Sequence, residues 1–211
     1  MFLSLRASLV VCALVMAGQA SAASVSYYLD QSNDLANGTN YAKVTIADGL
    51  GGDIDFTVEI IESAFPSPFS NFGMQAFFFN YDKDAVPPLV ISAANIVNVN
   101  PNEWSIVEDK NAGGGFGKFE FEALGDGSSR TSLLTFSISG VDNDTIASYA
   151  IGDADGMGEF FAAHIAGYDD SVSGNTSGKF AGSAVPVPAA VWLFGSALGM
   201  LGWVRRKKTS G

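Results

Sequence analysis

The alternation of apolar and polar side chains over residues 53–60 constrains the fold more than any other feature of the sequence. Apolar side chains take every second position and polar ones the positions between: Ile54, Phe56, Val58 and Ile60 against Asp53, Asp55, Thr57 and Glu59. Because successive side chains of a strand point to opposite faces, this pattern predicts a strand with one buried and one solvated face. Residues 116–123 and 131–139 repeat the pattern, which predicts Lys118, Glu120 and Glu122 on a solvated face.

Short strands separated by turns account for most of the central chain. The other segments of strand length are residues 25–29, 41–47, 74–81, 104–108 and 158–165, with glycine-rich turns between many of them. Only residues 144–150 are typical of a helix, with Asp142, Asn143 or Asp144 as its N-cap. Many short strands and almost no helix predict an all-β, antiparallel β-sandwich of jelly-roll type, and a closed barrel is the alternative.

The last 27 residues, 185–211, have three parts in a fixed order: a proline-bearing motif, an apolar segment over 189–204, and a basic cluster. The motif is Val185, Pro186, Val187, Pro188 and Ala189, and the cluster is Arg205, Arg206, Lys207 and Lys208. As a helix the apolar segment is about 24 Å long, against a hydrocarbon core of roughly 30 Å, and the flanking basic side chains can make up the difference. This order predicts a transmembrane helix whose basic end lies on the cytoplasmic side.

These three parts together resemble the PEP-CTERM protein-sorting signal of Gram-negative bacteria. The resemblance covers 185–208, and Val187 stands where the usual motif has Glu, as in the VPxPA-type variants. It implies recognition by an exosortase, a membrane enzyme that removes the tail and releases or transfers the protein toward the cell surface. It leaves open whether this tail is removed or retained as an anchor.

The N-terminus predicts export. Arg6 supplies the positive charge of a sparse basic N-terminal region, residues 7–17 are apolar, and Ala20-Ser21-Ala22 forms an A-x-A cleavage site. This order is typical of a signal peptide over residues 1–22. Ala20, Ala22 and Ala23 therefore form the expected signal-peptidase site, and the mature chain is expected to begin at Ala23. The single cysteine, Cys12, is lost with this signal helix, which excludes disulfides and cysteine chemistry from the mature protein.

The exported part is strongly acidic. Residues 23–184 contain all 22 acidic residues and six basic ones, a formal charge of −16. Such an acidic surface argues against nucleic acid as a partner and is compatible with solubility outside the cell. Within this part, residues 23–170 are predicted to form the β domain, and the Gly/Ser-rich residues 171–184 a flexible tether to the inner membrane.

Catalytic motifs are lacking, so the sequence predicts a protein that is not an enzyme. Alternation places the only histidine, His164, on a face with Phe160 and Ala162, where a half-buried histidine bonded to a loop is favoured over a catalytic one. No cofactor is predicted, and Ca²⁺ is a weak alternative. Its candidate ligands are Asp142, Asp144, Asp153 and Asp155.

We therefore expect a surface or extracellular-matrix protein that associates with biofilm or exopolysaccharide. A carbohydrate-binding module is the alternative, with aromatic side chains stacking on sugars. The candidate side chains for such stacking are Trp104, Tyr27, Tyr28, Tyr81 and Tyr168. A secreted glycan hydrolase is a third hypothesis, and it needs a cleft with two suitably spaced carboxylates.

Overall fold

Two antiparallel sheets make up the residues that the computed structural model describes, which are 23–152, 158–169 and 174–182. In chain order the strands are β1 (Ser24–Leu29), β2 (Gln31–Ser32), β3 (Ala42–Asp48), β4 (Ile54–Ile60), β5 (Gly73–Phe79), β6 (Ile96–Asn100), β7 (Ser105–Asn111), β8 (Lys118–Leu124), β9 (Leu133–Ile138), β10 (Phe161–Ala166) and β11 (Ser177–Gly182). These residues include no α-helix. The prediction of an all-β antiparallel fold is confirmed.

The five-stranded sheet has the order β1-β3-β4-β9-β6, and its central strands follow the predicted alternation. In β4 the side chains of Ile54, Phe56 and Val58 are buried, whereas Glu59 between Val58 and Ile60 is exposed. In β9 the side chains of Leu134, Phe136 and Ile138 are buried in the same way. This sheet therefore has one apolar inner face and one polar outer face, as alternation demands.

The six-stranded sheet has the order β2-β11-β10-β5-β8-β7. The two sheets meet along one side, where the chain passes directly from β1 of the first sheet into β2 of the second. At this crossing, the backbone N–H of Asp30 donates a hydrogen bond to the carbonyl of Ala181 in β11 at 3.0 Å. Strand β2 then pairs with β11 through Gln31 and Ser32. One continuous segment thus borders both sheets, and it covers the outer edge of β11.

A single aromatic-rich core joins the inner faces of the two sheets. Phe56 of β4 and Phe136 of β9 contact Phe79 of β5, with ring centroids 5.3 and 5.2 Å apart. Phe136 also lies 6.3 Å from Phe77 of β5. Rings from opposite sheets therefore interlock and form the hydrophobic core on which a domain without cysteines depends for stability.

The prediction of a flexible tether over 171–184 is wrong for Ser177–Gly182. This segment is strand β11, paired along its length with β10, and Phe180 and Ala181 are fully buried. Its small residues fit because the backbone of β1 lies against it, and an added Cβ at Gly182 would overlap the carbonyl oxygen of Tyr28. The domain therefore extends beyond residue 170, and pairing rather than side-chain pattern makes this segment a strand.

The outer face of the six-stranded sheet is partly covered by the loop between β7 and β8. Ala112 and Phe116 of this loop form a second apolar cluster with side chains of four neighbouring strands: Ala76, Phe78, Phe119, Ala162 and Ala181. Glu120, predicted on a solvated face, is buried with only 9% of its surface exposed. Its partners are Asn80 and Lys83, which follow β5 and are about 40 residues away in sequence, so alternation within β8 alone could not indicate this environment.

The helical prediction over 144–150 holds only as one turn of 3₁₀ helix, Ile146–Tyr149, and its N-cap is Thr145 instead of Asp142, Asn143 or Asp144. The described residues include no helix long and apolar enough to span a bilayer. The predicted signal peptide (1–22) and the predicted sorting signal (185–211) lie outside them.

Candidate functional site

Most residues of the two predicted processing sites lie outside the described part of the chain. These are Ala20 and Ala22 at the N-terminus, and the motif Val185, Pro186, Val187, Pro188 and Ala189 with the cluster Arg205, Arg206, Lys207 and Lys208 at the C-terminus. Ala23 is described. Its backbone nitrogen lies 3.3 Å from Oδ2 of Asp48, and its carbonyl accepts a hydrogen bond from the backbone of Asp48 at 2.9 Å. The first residue of the expected mature chain is therefore fixed next to a carboxylate.

The calcium candidates gain no support from the structure. Asp153 and Asp155 lie outside the described residues. Asp144 accepts a hydrogen bond from the Tyr149 hydroxyl at 2.6 Å, and burial together with this bond raises the pKa of the buried phenol. Asp142 belongs to no cluster, because none of the acidic and histidine side chains that the structure describes form a group of three suited to a metal ion. Asp144 therefore serves to satisfy a buried tyrosine.

A polar network lies on the outer face of the six-stranded sheet, near one end of β5 and β10. His164 of β10 is half-buried, as predicted, but its partner is on a strand instead of a loop: Nδ1 lies 2.8 Å from Nε2 of Gln75 in β5. The amide oxygen of Gln75, Oε1, accepts a hydrogen bond from Nε of Arg130 at 3.0 Å. Since a guanidinium can only donate, the amide oxygen faces Arg130 and the amide nitrogen faces His164.

This orientation fixes the state of the histidine. The Gln75 amide nitrogen donates to Nδ1, so Nδ1 is the unprotonated nitrogen and the ring proton is on Nε2. Burial, together with the smaller effects of the charges of Lys179 and Arg130, lowers the pKa of His164 to about 4. His164 is therefore neutral at pH 7 and acts as a hydrogen-bond acceptor for Gln75.

Arg130 is held firmly by backbone and side-chain contacts. Its neighbour Thr131 forms an isolated antiparallel bridge with Met74, with hydrogen bonds of 2.8 and 3.0 Å. Gly73 permits this approach, because a Cβ there would lie 2.9 Å from the Thr131 nitrogen and 3.0 Å from Cβ of Arg130. The guanidinium also donates from Nη1 to the carbonyl of Asn71 at 3.2 Å. Its position is thus set before any ligand arrives.

The acceptors of Arg130 are neutral. Within residues 23–152, 158–169 and 174–182 the one ion pair joins Lys83 to Glu120, with 3.0 Å between Nζ and Oε1. Arg130 therefore carries its charge without a carboxylate partner in that part of the chain. Such an arrangement is unusual in a domain with a formal charge of −16 and makes the guanidinium available to an external anion.

A cavity of about 310 Å³ opens beside Arg130. The side chains around it supply an aromatic ring, amides, hydroxyls and the guanidinium: Phe69, Asn71, Gln75, Arg130, Thr176 and Ser177. Phe69 is 46% exposed, and its loop is tied to the sheet by a hydrogen bond from its N–H to the Gly167 carbonyl at 2.6 Å. The cavity is therefore polar, open to solvent and bordered by an exposed ring.

Other basic side chains lie on the same face. Lys179 of β11 is directly opposite His164, with its Nζ 5.7 Å from the centre of the Phe78 ring. Burial lowers the pKa of Lys179, whereas the charge of Glu122 raises it. Burial raises the pKa of Glu122, and the charges of Lys110 and Lys179 offset part of this rise. Three of the six basic residues of 23–184 thus act within this face.

A second polar site lies around Glu120 of β8. One carboxylate oxygen pairs with Lys83, and the backbone N–H of Glu120 donates to Oδ1 of the buried Asn80 at 3.1 Å. The other oxygen, Oε2, is buried and has no hydrogen-bond partner among the described residues. Lys83 also lies 5.9 Å from the centre of the Tyr81 ring. The ion pair with Lys83 therefore supplies the compensation for the buried charge.

Among the aromatic residues predicted to stack on sugars, Trp104, Tyr27 and Tyr168 are buried. Trp104 donates from its ring nitrogen to the Ser129 carbonyl at 2.8 Å. The exposed ring next to a polar cavity is Phe69, which the sequence analysis did not select. It follows Pro66-Ser67-Pro68, and an aromatic residue in such a proline-rich turn is a signal that favours a loop at the surface.

A scan against models of known protein families gives no match, and searches of curated proteins and of solved structures give no significant match.

Proposed function

We propose that this chain is an exported, non-enzymatic protein of the cell surface or extracellular matrix, sorted by an exosortase. The observation that carries the proposal is the three-part C-terminal sequence over 185–211, combined with a signal peptide over 1–22. Signal peptidase and exosortase are the enzymes that process it, and the inner membrane holds it during transit. Biofilm exopolysaccharide is the partner that the acidic, all-β domain is suited to.

The environment of Ala23 supports cleavage before this residue. After cleavage its nitrogen is an ammonium group, and the contact with Oδ2 of Asp48 at 3.3 Å becomes an ion pair. An exposed pair of this kind contributes about 0–1 kcal/mol, so it favours an ordered N-terminus without being required for folding. The mature chain would then begin directly at the edge of β1.

The bonding of His164 supports a role without catalysis. A catalytic histidine takes a carboxylate or a carbonyl on one ring nitrogen and a nucleophile or substrate on the other. His164 instead accepts from the Gln75 amide, and its low pKa makes it a poor base at pH 7.

We further propose that the two sheets form a β-sandwich of jelly-roll type. Support comes from the chain path, since the connections from β4 to β5, β5 to β6, β6 to β7, β8 to β9 and β9 to β10 each pass from one sheet to the other. The shared aromatic core also favours face-to-face packing. A crystal structure of the domain would test the order of these connections.

Mass spectrometry of both termini of the protein recovered from its own cells tests the proposal. We expect an N-terminus at Ala23 and loss or transfer of the tail near 185–189, in the surface or extracellular fraction. A double variant, Pro186→Ala with Pro188→Ala, should leave the tail attached, because the backbone before the membrane can then continue as a helix. Ser183→Ala, just before the motif, is the matched control and should be processed normally. Residues 1–22 still attached, or a domain confined to the periplasm, would contradict the proposal.

A carbohydrate-binding module is the second candidate, and the cavity bordered by Phe69 favours it. At about 310 Å³ it lies at the small end of the range for ligand pockets, which suits one sugar ring. A glycan array probed with the protein tests this function, and a flat response would remove it.

A further inference from the structure

We propose that the cavity beside Arg130 binds a uronic acid residue of an acidic polysaccharide, with the sugar carboxylate on the Arg130 guanidinium and the sugar ring against Phe69. This inference rests on the carbohydrate-binding candidate and adds the ligand's chemical class and the residues that recognise it. It commits to a sugar that carries a carboxylate, as distinct from a neutral sugar.

The guanidinium supplies the anion-binding half of the site. Of its five N–H donors, one goes to Gln75 and one to the Asn71 carbonyl, and Nη2 has no partner among the described residues. Planar N–H groups match a carboxylate in a bidentate pair, which is stronger and more directional than a neutral hydrogen bond. A carboxylate that enters the cavity would therefore meet a cation that is already in place and has no carboxylate partner among the residues that the structure describes.

The fixed geometry of Arg130 lowers the cost of binding. The bridge between Thr131 and Met74 holds its backbone, and the Gln75 amide holds its side chain. His164 in turn holds Gln75 at 2.8 Å. A ligand group that meets an ordered partner loses less conformational entropy on binding than one that must order a free side chain. The chain of contacts from His164 through Gln75 to Arg130 is thus the support for the recognition group.

The remaining lining suits a sugar ring. Phe69 presents an exposed face, and sugar C–H groups pack on such rings. Thr176 and Ser177 at the cavity are exposed hydroxyls that can exchange hydrogen bonds with sugar hydroxyls. A simple carboxylate would use Arg130 alone, whereas a uronic acid uses both halves.

Local charge makes an anion acceptable on this acidic domain. Arg130 and Lys179 both act on His164, and Lys110 lies on the same face beside Glu122. At physiological salt, the charges of exposed acidic residues more than about 8 Å away are largely screened by ions in solution. Arg130 is therefore the cation that a carboxylate in the cavity contacts, and Lys179 and Lys110 lie on the same face of the sheet.

The test uses isothermal titration calorimetry on the full-length protein in a polyoxyethylene detergent, which has no sugar headgroup. The probes are short oligogalacturonates, the same oligomers with their carboxylates methyl-esterified, and sodium acetate. We expect the acid form to bind about tenfold or more tightly than the ester, because esterification removes the charge. Acetate should bind far more weakly than the acid oligomer, because it lacks the ring.

Two variants and a control assign the binding to the cavity. Arg130→Gln should reduce affinity for the acid form about tenfold or more and leave the ester unaffected. Lys43→Gln removes the same charge from the outer face of the five-stranded sheet and should change affinity by less than about twofold. Phe69→Ala, at an exposed position, should fold normally and weaken both oligomers. Because binding offsets the charge of Arg130, NMR of His164 should also show its pKa rising when the acid oligomer is added.

Equal binding of acid and ester, or unchanged affinity in Arg130→Gln, would overturn the inference while leaving carbohydrate binding intact. Acetate as tight as the oligomer would overturn the assignment to a sugar. If neither oligomer binds, the inference fails, and the response on the glycan array then decides whether the carbohydrate-binding candidate fails as well. The proposal of export and sorting is then still judged separately by the mass of the termini.

Discussion

The outer faces of the two sheets differ in what covers them. On the five-stranded sheet the outward side chains of β3, β4 and β9 remain partly or fully exposed. On the six-stranded sheet the loop over residues 112–117 covers part of β5, β10 and β11, which are largely buried on both faces. His164, Lys179 and Glu122, whose pKa values burial shifts, lie on the covered side. One sheet is therefore a scaffold with a solvated outer face, and the other creates the partly desolvated environment in which binding sites form.

Removing a ring from the shared core should have the largest effect. Phe56 stacks on Phe136 at 4.6 Å and also contacts Phe79 and Tyr149, so Phe56→Ala should lower the free energy of unfolding by about 3–5 kcal/mol. Phe78→Ala, in the smaller outer cluster, should lower it by about 2–3 kcal/mol, because the covering loop can settle into the cavity. Urea unfolding measures both. Equal losses would mean that the outer cluster is as rigid as the core.

Lys83→Met tests whether the buried Glu120 depends on its ion pair. The carboxylate is about nine-tenths buried and Lys83 is half exposed, so we expect a loss of about 1–2 kcal/mol, less than for a fully buried pair. Lys43→Met on the solvated sheet is the matched control and should cost less than about 0.5 kcal/mol. The double variant Lys83→Met with Glu120→Gln should recover part of the loss, because it removes the unpaired buried charge. No recovery would show that Lys83 contributes through packing alone.

The sequence predicted the solvated sheet better than the covered one, for a physical reason. Alternation in β4 and β9 is a local property, and both strands lie where it places them. Strand β11 has a Gly/Ser-rich sequence and became a strand only because β10 and β2 pair with it. The burial of Glu120 and Lys179 likewise depends on contacts distant in sequence.

Two other strands were also missed. Strand β6 (Ile96–Asn100) lies at a sheet edge and contains two asparagines, which are uncommon in strands. Asn98 also has a positive φ of 55°, so the segment lacks the features by which a strand is recognised from sequence. Strand β2 has only two residues. Of the candidate site, the sequence identified His164 as half-buried, but Gln75 and Arg130 are 89 and 34 residues away from it, and nothing local indicates that they meet it.

Gly114→Ala tests how closely the covering loop must approach the sheet. Gly114 has φ of +66°, and an added Cβ would lie 2.8 Å from Cβ of Lys179. Gly115 is the matched control, since its φ is +89° but an added Cβ would meet nothing within 4 Å. Both variants carry backbone strain, and Gly114→Ala should cost about 1 kcal/mol more than Gly115→Ala. Thermal unfolding measures the difference, and equal losses would mean that the loop does not press on β11.

His164 offers the smallest and most specific test of the covered face. It is the single histidine of the chain, so its ring signals in NMR are unambiguous. We expect a pKa of about 4 in the folded protein against about 6.5 when unfolded. Because the unfolded state then binds the proton more tightly, this group's stabilising contribution is complete above pH 6.5 and is lost as the pH falls from 6.5 to 4.

The loss should amount to about 1 kcal/mol after allowance for solvent screening of a partly exposed ring. It is measured as the difference in pH dependence between the wild type and His164→Gln. Lys179→Gln should raise the pKa only part of the way toward 6.5, since burial is the larger cause and remains. Titration of the wild-type ring at about 6.5 would mean that the six-stranded sheet is as solvated on its outer face as the five-stranded one, and the contrast between the two sheets would disappear.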